Sequence, residues 1–217
     1  MVDSVTYWLK EYHLDGFRFD LMALHDVETM QMIEQAVHGI NPSALIYGEG
    51  WTGGTSQLNA AFQTTQANTG KITASPGAAG AIAVFNDAIR DGLKGSVFSQ
   101  TEKGYISGAA TKTNAARVVF GITGGTSNGA GWKARNAMVV NYMTSHDNHT
   151  LWDKLLLSNP DASDRIRTDM VKLGASAVML SKGMPFFLAG EEMLRTKQGD
   201  GTATAVPTRS TTSTGRR

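Results

Sequence analysis

The sequence contains no cysteine, and its charges are nearly balanced, since 20 Lys and Arg residues against 19 Asp and Glu residues give a formal net charge of +1. Without cysteine we expect neither a disulfide framework nor thiolate chemistry, and the compartment, bacterial cytoplasm or secretion, stays open. The basic residues are scattered, so we expect no nucleic-acid partner. No apolar run is as long as a membrane span, and the N-terminus has no basic and then apolar segment, so we expect no membrane partner and no signal peptide.

The first 50 residues alternate between helical and strand patterns. Apolar residues recur at helical spacing in residues 2–12 and again in residues 27–37. A short apolar strand follows each of these stretches, and the two strands lead into Asp20 and Glu49 respectively. The order helix, strand, helix, strand predicts an α/β fold with a parallel sheet or a β/α barrel.

The rest of the chain is less regular. The patterns predict strands at 83–85, 137–143 and 184–189, a weak helix after Asn86 and a helix at 166–180. Residues 52–81 are predicted to form a long surface loop, and residues 99–135 an irregular insertion with periodicity only at 116–122. Residues 201–217 are mostly Thr, Ser, Ala, Gly and Arg, which predicts a disordered tail or, as a hypothesis, a non-native one produced by a frameshift.

The strand that leads into Asp20 carries the first candidate site. Because side chains alternate along a strand, Phe17 and Phe19 share one face, and Arg18 and Asp20 share the other. The arginine should keep Asp20 ionised and hold it in place. An ionised, oriented carboxylate is what a glycosidase nucleophile must be.

Glu49 is the natural partner of Asp20. The two residues are about one βα unit apart, so we expect them on neighbouring parallel strands, whose axes lie about 4.8 Å apart. Retaining glycoside hydrolysis uses two carboxyl groups about 5–5.5 Å apart, one ionised and one protonated. Gly48, Gly50 and Trp51 flank Glu49 without a cation nearby in the sequence, and this environment would favour the protonated form that a general acid requires.

Several ordered motifs resemble a known family. The segments 15–20 (DGFRFD), 47–51 (YGEGW) and 145–148 (SHDN) resemble three of the four signature segments of the α-amylase family of glycoside hydrolases. The segments 20–23, 48–51, 85–91 and 146–154 resemble the type I pullulanases, the starch-debranching subgroup. The resemblance covers roughly residues 1–200.

The resemblance implies a fold and a set of roles. Residues 1–200 would form part of a (β/α)8 TIM barrel, about strands four to eight of the α-amylase catalytic domain. The family's first motif is not found here, so we expect a fragment. The implied catalytic residues are the nucleophile Asp20, the general acid/base Glu49, and Asp147, which binds and distorts the sugar. The implied substrate-binding residues are Arg18, Trp51, His146 and Asn148.

The implied activity is hydrolysis of α-1,6-glucosidic links in pullulan, amylopectin or glycogen, with an α-glucan as the partner. Alternatives are an isoamylase-like debranching enzyme, a glycogen branching enzyme or, in another class, an inactive glucan-binding fragment. Calcium is common in the family, but the sequence shows no convincing metal site, and a metal cluster of His146, Asp147 and His149 is disfavoured because no further ligands group with it. No organic cofactor is expected. Glu191 and Glu192 are expected to make structural hydrogen bonds.

Overall fold

The computed structural model describes residues 1–126, 132 and 138–202, and the chain divides into two compact units. The first unit contains residues 1–85, 124–126, 132 and 138–140, and the second contains residues 86–123 and 141–202 of the described chain. Each unit has its own buried core. The predicted tail lies outside the described residues except for Gly201 and Thr202.

The first unit is an α/β structure with a parallel sheet. Its elements are α1 (Val2–Glu11), β1 (Gly16–Phe19), α2 (Val27–His38), β2 (Leu45–Gly48), β3 (Ala83–Phe85) and the first two residues of β4 (Val139–Asn141). Neighbouring strands in the order β1-β2-β3-β4 are parallel, with Phe19 opposite Gly48 and Phe85 opposite Val140. Parallel strands place their carboxyl ends at one edge of the sheet, so the residues after β1 and β2 are brought to the same edge.

The apolar patterns explain how this sheet is covered. Helix α1 packs against α2. Asp26 is the N-cap of α2, and its Oδ1 accepts a hydrogen bond from the Thr29 backbone N–H at 2.7 Å. That bond, together with a second one from the Thr29 hydroxyl, lowers the pKa of Asp26. The buried apolar side chains of the unit include Met22, Met30, Ile33, Val37, Ile46, Val84, Phe85 and Val139. The first helix, the second helix and the first three strands thus agree with the sequence prediction.

The second unit is mostly helical. Its elements are Asn141 of β4, α3 (Asp87–Lys94), α4 (Lys112–Ile122), α5 (Leu151–Ser158), α6 (Asp164–Leu180) and β5 (Met184–Pro185). Each helix begins after a residue whose side chain accepts a hydrogen bond from a backbone N–H three positions on, namely Asn86, Thr111, Thr150 and Ser163. The core of the unit is formed by Ile89, Leu93, Ile106, Val118, Met143, Leu151, Leu155, Val171 and Val178.

The structure differs from the sequence prediction in three elements of the second unit. The predicted strand 184–189 has only two residues, since the chain turns where the Glu191 N–H bonds the Leu188 carbonyl oxygen at 2.9 Å. Helix α5 was not predicted, since buried polar residues interrupt its apolar pattern. Helix α4 occupies part of the region expected to be irregular.

Among the described residues, no helix is both long enough and apolar enough to cross a membrane.

Candidate active site

The carboxyl end of β1 carries two charged side chains that contact each other. Arg18 lies on the strand and Asp20 follows its last residue, and Nη1 of Arg18 donates a hydrogen bond to Oδ1 of Asp20 at 2.7 Å. The alternation of side chains along a strand places both on the same face, as predicted. The Asp20 side chain is 57% exposed, so a ligand can reach its carboxylate.

The carboxylate that follows β2 is buried, and both of its oxygens accept hydrogen bonds. Glu49 is only 2% exposed. Nη2 of Arg18 donates to Oε1 at 2.8 Å, and the backbone N–H of Leu21 donates to Oε2 at 2.9 Å. Leu21 has a left-handed backbone conformation, with φ of 45°, which is uncommon for a residue with a Cβ. The turn after β1 therefore holds the carboxylate after β2.

One guanidinium thus serves both carboxylates. A carboxylate oxygen of Asp20 lies within 4.8 Å of one of Glu49. Both carboxylates accept hydrogen bonds from the Arg18 guanidinium. No cation lies near Glu49 in the sequence, but the fold brings one to it, because Arg18 reaches it from the neighbouring strand.

Two glycines allow Glu49 to sit so close to its neighbours. A Cβ on Gly48 would lie 2.6 Å from the carbonyl oxygen of Phe19, and a Cβ on Gly50 would lie 2.7 Å from the backbone nitrogen of Gln66. Neither distance is compatible with a side chain at these positions. The Gly-Glu-Gly sequence is therefore required by the close approach of backbones on both sides of the carboxylate.

Aromatic rings support the arginine from the sheet. The guanidinium carbon of Arg18 lies 5.4 Å from the centre of the Phe85 ring, within the range of a cation–π contact. Phe85 in turn makes an edge contact with Tyr47, with ring centres 5.8 Å apart. Trp51 is half-buried two residues after Glu49, and its predicted role as a sugar-stacking wall stays a prediction.

The other predicted site residues lie in the second unit, in the segment that follows β4. The side chains of His146 and Asp147 are 48% and 56% exposed, and His146 Nε2 lies 3.4 Å from an oxygen of Asp147. Asn148 has a left-handed backbone, with φ of 58°. His149 is buried, and its Nε2 lies 3.0 Å from the Gly199 carbonyl oxygen, so the backbone already uses this ring.

A lysine that the sequence analysis did not single out holds this segment. Lys197 is 3% exposed, and its Nζ donates to the carbonyl oxygens of His146 at 2.7 Å and Asn148 at 2.8 Å. The backbone N–H of Lys197 donates to the buried carboxylate of Asp153 at 2.7 Å. Asp153 was noticed only as part of a family motif, and no periodicity or charge pattern points to Lys197.

The second unit contains another group of buried ionisable side chains, which includes Lys94 and Glu191. Lys94 is 2% exposed, and burial together with repulsion from Arg90 lowers its pKa to about 7, although Glu191 opposes the shift. Burial also raises the pKa of Glu191, which accepts a hydrogen bond from the Thr144 hydroxyl. The structural role expected for Glu191 agrees with this contact.

Comparison with known proteins gives a consistent set of relatives. No model of a protein family matches the chain. The chain is similar to the pullulanase of Bacillus subtilis strain 168, with 37% identity over 205 residues, which are 92% of this chain and 27% of that protein. Its structure is similar to the pullulanase from Bacillus acidopullulyticus, with 40% identity and a TM-score of 0.88 over 98% of this chain and 25% of that one.

A further solved structure contains a sugar. The pullulanase from Anoxybacillus sp. LM18-11 complexed with maltotriose is 40% identical, with a TM-score of 0.83 over 93% of this chain and 27% of that one. The chain therefore spans about a quarter of the length of each of these three relatives.

Proposed function

Because the chain is homologous to a segment of the pullulanases, we propose that it forms part of a debranching enzyme that hydrolyses α-1,6-glucosidic links with retention of configuration. The observation that carries the proposal is the cluster of Arg18, Asp20 and Glu49 at the carboxyl ends of two neighbouring parallel strands. Retaining glycosidases act with two carboxyl groups about 5–5.5 Å apart. The oxygen separation of at most 4.8 Å between Asp20 and Glu49 is compatible with that geometry.

The proposed roles follow from exposure and hydrogen bonding. Asp20 is the nucleophile, since its exposed carboxylate is held by Arg18 and is accessible to an anomeric carbon. Glu49 is the general acid/base, held in a fixed orientation by Arg18 and the Leu21 N–H. Asp147, with His146 and Asn148, has the role of binding the sugar. Arg18 orients both carboxylates, and Trp51 is a stacking surface for a pyranose ring.

We propose that residues 1–200 are strands four to eight, with their helices, of a (β/α)8 catalytic barrel. The parallel order of β1 to β4, with α2 between β1 and β2, supports this proposal, as does the match to pullulanase structures over nearly the whole chain. The sites of such barrels lie at the carboxyl ends of the strands, which is where Asp20 and Glu49 follow β1 and β2.

The proposed substrate is an α-glucan with α-1,6 links, such as pullulan, amylopectin or glycogen. The complex of the Anoxybacillus pullulanase with maltotriose supports this substrate class. The alternatives are an isoamylase-like debranching enzyme, a glycogen branching enzyme or a glucan-binding protein without activity. Reducing-sugar release distinguishes a debranching enzyme from a branching enzyme, because branching transfers chains without net release of reducing ends.

The test measures reducing sugar released from pullulan by two proteins: the 217-residue chain, and a chimaera in which it replaces the matching segment of the Bacillus subtilis pullulanase. We expect at least the chimaera to release reducing sugar, with maltotriose as the product. Asp20→Asn and Glu49→Gln should each lower kcat at least about 1,000-fold with the fold retained. Asp169→Asn, an exposed carboxylate on α6, is the matched control and should change nothing.

Three outcomes would contradict parts of the proposal. Activity on glycogen but not on pullulan would favour the isoamylase-like alternative. Glucan binding without release, in a chimaera shown to be folded, would favour the binding protein. Unchanged kcat in either carboxylate variant would remove the site assignment.

A further inference from the structure

Lys197 places a buried ammonium group directly against the segment that carries Asp147. Its Nζ donates to the carbonyl oxygens of His146 and Asn148, the residues on either side of Asp147, at 2.7 and 2.8 Å. A donor that joins the carbonyls of residues i and i+2 closes the backbone around residue i+1. The side chain of Asp147 therefore points outward, 56% exposed, from a turn that is fixed from behind.

The turn needs such a support. Asn148 adopts a left-handed conformation, which residues other than glycine adopt at a cost, although asparagine tolerates it better than most. The carbonyls of His146 and Asn148 are joined by the same Nζ. Without the ammonium, both carbonyls would lose this shared donor, and the orientation of Asp147 would change with the backbone.

Lys197 is itself held at its backbone. Asp153, 1% exposed on α5, accepts the Lys197 N–H at 2.7 Å and the Thr196 hydroxyl at 2.5 Å. Helix α5 thus fixes the start of the lysine side chain, and the side chain fixes the turn. The charged groups that act on the ammonium are Asp147, Asp200 and Asp153, which stabilise it, and Arg195, which repels it.

We propose that Lys197 is a positioning residue, which sets the orientation of Asp147 by bonding the two carbonyls that flank it. The proposal rests on the role proposed for Asp147 in binding the sugar. Lys197 does not touch substrate in this scheme. Its substitution should therefore lower turnover through a misplaced Asp147 rather than through lost contacts.

The second unit offers a closely matched control. Lys154 is also buried, 2% exposed, and its Nζ also donates to two backbone carbonyls, those of Ser96 and Ser99. Lys154→Met therefore removes the same kind of contact, a buried ammonium that bonds two backbone carbonyls, from a different loop. A comparison with Lys197→Met separates the loss of a buried ammonium in general from the loss of the support behind Asp147.

The first measurement needs no substrate. Backbone ¹⁵N order parameters of residues 146–149 should be about 0.85 in the wild-type 217-residue chain and fall below about 0.6 in Lys197→Met, while those of α6 stay unchanged. In Lys154→Met the values at 146–149 should equal those of the wild type. Lys197→Gln, which keeps N–H donors on a shorter side chain, should give intermediate values and serves if the methionine variant does not fold.

The second measurement uses the 217-residue chain or the chimaera, whichever of the two hydrolyses pullulan. Lys197→Met should lower kcat about 100-fold while KM changes less than about threefold, because a displacement of about 1 Å has effects of that size. Lys154→Met should retain the wild-type kcat. A wild-type protein without activity would count against the proposed function, and the order parameters would still decide the role of Lys197. Unchanged order at 146–149, or loss of order spread equally through α5 and α6, would overturn the proposal.

Discussion

A single residue, Arg18, determines the charge balance at the ends of β1 and β2. Its side chain is 25% exposed, whereas the Glu49 side chain that it contacts is 2% exposed. A buried carboxylate is tolerated only when donors compensate its lost hydration, and Glu49 has two such donors, Arg18 and the Leu21 N–H. The arginine is therefore both a part of the proposed site and a condition for burying one of its carboxylates.

Removing the guanidinium should destabilise the fold. We expect Arg18→Met to lower the free energy of unfolding by about 2 kcal/mol, less than for a fully buried ion pair because the arginine is a quarter exposed. Arg18→Lys, which can bond only one carboxylate at a time, should lose less. Urea denaturation followed by circular dichroism measures the difference, with Arg165→Met on the exposed face of α6 as the control. Equal stability of Arg18→Met and the control would show that Glu49 does not depend on the arginine.

At the scale of an element, α2 is attached to the rest of the first unit by a buried carboxylate. Glu34 is completely buried, and it accepts hydrogen bonds from the Ser75 backbone N–H at 2.7 Å and the Ser75 hydroxyl at 2.9 Å. His38, one turn later, lies 2.7 Å from the same carboxylate and 3.0 Å from the Ala44 carbonyl oxygen. The helix is thereby joined to the long loop before β3 and to the start of β2.

Glu34→Ala should therefore have a large effect for a single polar substitution. It leaves the Ser75 N–H and the His38 ring without their partner, and we expect a loss of about 3 kcal/mol in the free energy of unfolding. Glu28→Ala, exposed on the same helix, should change stability by less than about 0.5 kcal/mol. Both values come from the midpoint of urea denaturation. A similar midpoint for the two variants would mean that this network does not hold α2.

The same element shows what the sequence could and could not predict. The apolar stripe of α2, its cap at Asp26 and the two strands beside it follow from local periodicity, and the structure confirms them. The bonds of Glu34 to Ser75 and of Arg18 to Glu49 join residues that are far apart in sequence, so no local pattern reports them. Helix α5 was missed for a related reason. Its buried Asp153 and Lys154 look like surface residues in the sequence, and only their distant partners explain their burial.

At the scale of the whole molecule, the balanced charge makes individual buried groups decide how stability depends on pH. With a net charge of +1, overall repulsion is small near neutral pH. The second unit contains three buried lysines, Lys94, Lys154 and Lys197, and burial lowers the pKa of each. Burial also raises the pKa of Tyr142 above its ordinary value, which gives an opposite dependence at alkaline pH, above about 10.

Lys94 gives the sharpest of these effects, because its pKa falls from the ordinary 10.5 to about 7. Between these two values the unfolded chain holds a proton that the folded chain lacks, so the free energy of unfolding rises with pH, by up to about 1.4 kcal/mol per pH unit. Below pH 7 the lysine is charged in both states and the dependence ends.

We expect urea denaturation between pH 7.5 and 9.5 to show this rise, and Lys94→Met to reduce its slope by about 1 kcal/mol per pH unit. Lys172→Met, which replaces a lysine that is 73% exposed on α6, is the control and should keep the wild-type slope. If Lys94→Met keeps the full slope as well, the buried ammonium retains its proton through Glu191 and Asp91, and the dependence must come from the other two lysines.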